Sequence, residues 1–186
     1  MFQDSFTIRR MSYLAILVAM SYVLKSVFTL ELLTVRFSFY EIPLFLTGVL
    51  FGPYYGLLIG FINDTLHIMT PNNFAVGYNL MTVAGMLWGL AGGLFFYRRR
   101  TLQPVKLAVV IAVTYLLYFA IISLQLYGPA RYTFFNLSPF PDIFLRIVGI
   151  MIRIPLHILF VKVLFTRVIA ESAVHQYVLD PSEHHG

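Results

Sequence analysis

The sequence predicts an all-α fold: a polytopic membrane protein built as a compact bundle of six transmembrane helices, with both termini cytoplasmic. Three observations carry that prediction. Of 186 residues, 59% are hydrophobic and only 11% charged, whereas an ordinary soluble domain is about half apolar and a quarter charged. Mean hydropathy is +0.81, and a water-soluble fold of this size has too little interior to hide so much apolar surface. The apolar residues also run in long segments, and the basic residues fall in the gaps between them.

The segments are 11–28, 41–51, 54–69, 78–97, 105–126 and 143–169. A straight helix needs about 20 residues to cross the hydrocarbon core. The second and third are shorter, and Gly52-Pro53 separates them. They are expected to form one bent pair or two short helices in a thinned region. The first segment follows Arg9-Arg10 as a signal peptide would, but no small-residue cleavage site ends it, and Lys25 and Ser26 close the run. A retained helix is expected. Pro155 predicts a kink in the last helix, with a carbonyl freed one turn earlier. Residues 1–170 read as a single transmembrane domain and 171–186 as a short cytoplasmic tail, to which His184 and His185 belong rather than to a metal site.

Orientation follows from the basic residues. With the N-terminus inside, inner segments carry Arg9, Arg10, Arg98, Arg99, Arg100, Lys106 and Arg167, while outer connections carry Arg36 and Arg131. The net charge of +5 is therefore read as topogenic, not as a nucleic-acid surface. The chain has no cysteine, which removes disulfides, thiolate metal sites and cysteine nucleophiles. It has no phosphate-binding glycine loop, no nucleophile elbow and no metal-ligand spacing. No cofactor is expected.

Small residues recur at helical spacing. Ala15 and Ala19 share a face of the first helix, Gly52, Gly56 and Gly60 a face of the third, and Gly85, Gly89 and Gly93 a face of the fourth. Such faces admit close helix approach, a main source of association in lipid. The glycine series point to internal packing. The alanines face either a neighbouring helix or another subunit.

Polar groups at membrane depth are costly and tend to face a cavity or a partner. Glu41 opens the second helix beside Arg36, where a local ion pair and the helix dipole both suit it. Asn63, Asp64 and His67 lie together on the third helix, as a proton relay, a ligand site or an interhelical hydrogen-bonded network. Tyr78 and Asn79 open the fourth helix. Arg146 and Arg153, seven apart on the last helix, are nearly aligned; Arg146 lies nearer the outer leaflet, placed to meet an anionic ligand group. The outer connections 71–74 and 127–136 are rich in aromatic and amide residues. They read either as lids over an outward cavity or as interfacial anchors.

In this order the features resemble the substrate-binding S components of energy-coupling factor (ECF) vitamin transporters, and among them the folate subgroup. The resemblance rests on the Ala15/Ala19 AxxxA face, on RFSFYEIPLFLTGVLFGPYYGLLIGFINDTLH from Arg36 to His67, on YNLMTVAGMLWGLAGGLFFYR from Tyr78 to Arg98, and on LRIVGIMIRIPLHILFVKVLF from Leu145 to Phe165. Two departures bear on the ligand: the loop after the third helix reads TPNNFAVG, and Asn63 and His67 flank Asp64. The resemblance implies a multi-pass protein of the bacterial cell membrane that captures a water-soluble vitamin, folate or a related pterin first, from outside. It implies a partner module of one transmembrane T subunit and two ATPases, docked on Ala15 and Ala19. This chain itself would be no enzyme. From the residues, ligand contacts are expected at Arg36, Tyr78, Asn79 and Arg146, with Tyr132 and Phe135 stacking on a flat heterocycle. Alternatives are an S component for riboflavin, pantothenate, pyridoxine or hydroxymethylpyrimidine, a small intramembrane enzyme using Asp64 and His67 with Arg153, and a purely structural subunit.

Overall fold

The structure, a computed structural model, describes residues 2–27, 30–32, 35–70, 78, 80–97, 102–126 and 140–166. The helices are α1 (Phe2–Ser26), α2 (Glu41–Phe51), α3 (Pro53–Ile68), α4 (Leu80–Phe96), α5 (Pro104–Leu126) and α6 (Phe140–Leu164). Between α1 and α2 lie two three-residue strands, β1 (Leu30–Leu32) and β2 (Val35–Phe37), paired antiparallel. The six expected helices are thus present, and the short hairpin is an addition to the all-α expectation. Its register sets Glu31 opposite Arg36. Strands this short carry too few alternations to be read as a period in the sequence.

α2 is the centre. All eleven of its residues are buried, and it packs against α4, α3, α1 and α6. Its sequence, EIPLFLTGVLF, is apolar around the whole circumference, so no face is suited to water. The one hydroxyl inside it, Thr47 Oγ1, donates back to the Pro43 carbonyl at 2.8 Å. The expected break between α2 and α3 falls at Gly52, whose φ of 102° is a backbone conformation that favours glycine. Pro53 then opens α3 at a position where its missing N–H costs nothing. α1 starts at Phe2, earlier than the apolar run alone implies, because its polar first turns are helical too. α6 continues through Pro155 as one helix.

The second and third helices meet the fourth almost backbone to backbone. A Cβ on Gly56 would fall on the Gly89 backbone, and one on Gly89 would fall on that of Gly56. Gly48 likewise faces the Gly89 carbonyl, Gly92 the Phe45 carbonyl, and Gly93 the start of α3 at Pro53. At Gly60 the nearest atom is Met86 Cα at 2.8 Å. The internal packing read from the glycine spacing therefore holds, with Gly48 and Gly92 joining the seam. Gly85 meets the seam through its carbonyl, 3.2 Å from a Cβ on Gly60, but among the described residues nothing lies within 4 Å of a Cβ added to Gly85 itself.

α1 is fastened differently, by polar contacts near its end. Ser21 Oγ donates to the Tyr40 carbonyl at 3.1 Å, and Ser38 Oγ to the Leu24 carbonyl at 3.2 Å. Lys25 Nζ reaches Asp64 Oδ1 of α3 at 2.5 Å, and Thr82 of α4 donates to the other oxygen of the same carboxylate. The hydrogen-bonded reading of Asp64 is the one found. Opposite to this interior, the bundle presents large apolar side chains outward, among them Leu94, Phe95, Leu116 and Met151. Among the described residues, 104–123 and 146–164 are long and apolar enough to cross a membrane, while 11–26, α2 and α4 are apolar but shorter.

Thermal unfolding of the detergent-solubilised protein tests this packing. Gly89→Ala is expected to cost about 1–3 kcal/mol by overpacking. Gly85→Ala is expected to be neutral or to stabilise by up to about 1 kcal/mol through helix propensity. For the ion pair, Lys25→Met and Asp64→Leu are each expected to destabilise more than the double variant, with an interaction energy of about 1–3 kcal/mol. Additive single effects would contradict the pairing.

Candidate functional site

The polar side chains inside the bundle run from one end to past its middle. Lys25 closes α1, Tyr40 and Glu41 begin α2, Asp64 is in the last turns of α3, and Thr82 is in the first turn of α4. Tyr115 and Tyr118 come from α5, and Arg146, Arg153 and His157 from α6. On α6 the spacing 146, 153, 157 keeps all three on one stripe. At 1.5 Å rise per residue, Arg146 and Arg153 are roughly 10 Å apart along the axis.

Three groups of contacts organise this interior. The first is the Asp64 carboxylate held by Lys25 and Thr82, with Lys25 also 5.1 Å from the centre of the Tyr40 ring. The second is an aromatic wall. Trp88, wholly buried, stacks on His157 at 4.8 Å and 19° and meets Tyr115 edge-on at 4.6 Å. Tyr115 Oη lies 3.3 Å from His157 Nδ1, and the hydroxyls of Tyr40 and Tyr118 are 3.4 Å apart. The third is an ion pair between Glu41 and Arg153, with Arg153 Nη1 3.8 Å from Glu41 Oε1. Glu41 is 1% exposed and Arg153 7%. Among the described residues the partner of Glu41 is Arg153 of the last helix; the expected local pair with Arg36 falls on a side chain outside them.

Several atoms in this interior make no hydrogen bond among the described residues. They are both Glu41 carboxylate oxygens, Asn63 Oδ1, Trp88 Nε1, Arg146 Nε and His157 Nε2. Buried polar groups are nearly always hydrogen-bonded, and leaving one unsatisfied costs about 1–3 kcal/mol. A cluster of them, holding both donors and an acceptor-only group beside stacked rings, is what a pocket for a polar, flat ligand requires.

The expected site residues divide. Arg146 is half-buried and stands about two turns before Arg153 on the same stripe of α6. Tyr78 does not join the cluster: it is exposed, stacks on Phe61 at 5.4 Å and 8°, and shares a 3.0 Å hydrogen bond with Thr65. Arg36 lies in β2, with its side chain outside the described residues, and Asn79, Tyr132 and Phe135 lie outside them altogether. Glu41, Trp88, Tyr115, Tyr118 and His157 do not stand out in the sequence as ligand contacts, yet the fold brings them into this interior. The usable signals were the inward spacing 115/118 on α5 and the continuation of the Arg146/Arg153 stripe to His157. Among the described residues no group of His, Asp and Glu could hold a metal ion. Away from this cluster, Ala15 and Ala19 are exposed and line an open apolar groove of about 550 Å³ between α1 and α3, with Leu14, Val18, Ile59 and Ile62.

Comparison with known proteins places the chain. Nine solved protein chains are significantly similar in structure. One of them, FolT in a crystal structure with bound folic acid, superposes with a TM-score of 0.69 at 21% identity, over 85% of this chain and 93% of that one. The likeness at that identity establishes the shared fold. No curated protein matches the sequence significantly. The sequence model of the family described as "ECF transporter, substrate-specific component" matches residues 9–172. By that match over most of its length, joined to the buried polar cluster and the membrane-suited surface, the chain belongs to the membrane-embedded substrate-specific components of ECF transporters.

Proposed function

We propose that the chain captures folate or a closely related pterin, and that the ligand sits in the polar cluster between Arg146 and the Glu41/Arg153 pair. The observation that carries this reading is the convergence of buried, unsatisfied donors and acceptors on a stacked aromatic wall. The folic acid in the similar FolT structure supports the choice of vitamin. In this reading all six helices cross the bacterial cell membrane, both termini are cytoplasmic, and residues 1–170 form the one domain. Arg146 meets an anionic group of the vitamin. Asn79, Tyr132, Phe135, Arg36 and Tyr78 close over it from the outer connections.

Transport then requires a partner, since nothing in the sequence resembles a nucleotide site. The chain is read as hydrolysing nothing and as delivering its ligand to an ECF module of a T subunit and two ATPases. Ala15 and Ala19 supply a face on which another helix can approach closely. The groove beside them is apolar and open, as such docking needs.

Calorimetric titration of the solubilised chain with folate, riboflavin, pantothenate, pyridoxine and a hydroxymethylpyrimidine is the primary test. Saturable binding of folate alone, without ATP, is expected. Tight binding of another of these vitamins would move the assignment to it, and binding of none by folded protein would overturn the reading. Arg146→Ala is expected to weaken folate binding about 10–100-fold, the value of a charge-assisted hydrogen bond. Ala15→Leu is expected to abolish uptake in cells carrying the complete transporter while leaving that binding unchanged. Loss of both would point to a folding defect, not a docking face.

A further inference from the structure

Glu41 is the most deeply enclosed acid among the described residues, and neither of its oxygens accepts a hydrogen bond there. Arg153 stands 3.8 Å away, an ion-pair distance longer than a hydrogen bond. Such a carboxylate is an acceptor on both oxygens and a donor on neither. Tyr40 precedes it in the chain, and the Tyr40 hydroxyl lies 3.4 Å from that of Tyr118. The rings of Tyr115 and Tyr118 both lean on Trp88. The group is thus a fixed, charge-balanced, two-pronged acceptor beside an aromatic wall.

Resting on the reading that the ligand occupies this cluster, we infer that Glu41 is the specificity-determining residue for the ring. It accepts two parallel hydrogen bonds from a flat heterocycle that presents adjacent N–H donors. A 2-amino-4-oxopteridine offers such an edge, with the ring N3–H beside the exocyclic 2-amino group. Two parallel bonds to a carboxylate add geometric selectivity to their energy. A flavin ring fails the same test. Its one imide N–H is flanked by two carbonyl oxygens, which would face the Glu41 carboxylate acceptor to acceptor. Pantothenate has no ring to present. Arg153 is the positioning residue that holds the carboxylate in place and balances its charge.

The inference is tested by pairing a protein change with a ligand change. Folate and its 2-desamino-2-methyl analogue, which lacks the exocyclic donor, are titrated into wild-type protein and into Glu41→Gln. The expected result is that the wild type binds the analogue about 10–100-fold more weakly than folate. In Glu41→Gln, folate is expected to fall to the analogue's level, and the analogue to change little. Equal weakening of both ligands by Glu41→Gln would make the residue structural, and no weakening of either would remove it from the site. Both outcomes overturn this inference while leaving folate capture standing. Failure of the wild type to bind folate at all overturns the folate reading and this inference with it. Should Glu41→Gln unfold because Arg153 is left unbalanced, the double variant Glu41→Met/Arg153→Met removes both charges, and the same ligand comparison decides.

Discussion

Where Gly56 and Gly89 face each other, two helices touch with no side chain between them, and the positions of the other elements depend on that approach. Gly48, Gly92 and Gly93 extend the contact along α2, α3 and α4, so three short helices behave as one block. In lipid there is little gain from moving an apolar side chain off an apolar solvent, and close van der Waals packing supplies the association instead. α2 can be buried on every side only because α4 comes so near it. Its N-terminal residue, Glu41, is thereby fixed inside the protein, facing α6.

Around that block the remaining helices are held by polar contacts, and these are unevenly satisfied. Asp64 has both oxygens engaged, by Lys25 and Thr82, which ties α1 and α4 to α3. Glu41, Trp88 and His157 instead leave atoms without partners among the described residues. A satisfied network makes for rigidity, and a partly satisfied one marks where a ligand or water completes the set. The two kinds lie side by side in this bundle. A rigid wall beside an incomplete one is the arrangement in which a small ligand finds its donors and acceptors already oriented, so little ordering is required on binding.

The parts of this architecture that depend on local spacing are legible in the sequence. Gly52-Pro53 marks the break between α2 and α3, and the four-residue glycine repeats mark the faces that pack. The identity of the facing atom is not local, so Gly48 and Gly92 join the seam unannounced, and a Cβ on Gly85 would meet nothing among the described residues. The same limit applies to charges. Asp64 stands out as a carboxylate at membrane depth, but Lys25 reads as the end of an apolar run until the fold brings the two together. Glu41 reads as the natural neighbour of Arg36, whose side chain lies outside the described residues, and the fold brings Arg153 to it from the last helix. Tyr78 stands out in the sequence by its position at a helix start, and the fold sets its ring on Phe61, beside the polar cluster and not within it.

The family match and the fold agree with a protein whose task is to recognise a molecule and hand it on. In the proposed reading the ligand lies against the aromatic wall of Trp88, Tyr115 and His157. Trp88 is the sole tryptophan of the chain and is wholly buried in that wall. Incorporating 5-fluorotryptophan gives a single fluorine resonance sensitive to its surroundings within a few atoms' distance. Its spectrum, followed while folate is added to the solubilised protein, is the most direct measurement. A new resonance that grows to saturation at one ligand per chain is expected. An unchanged resonance, with folate binding verified on the same sample, would place the ligand elsewhere and contradict the account.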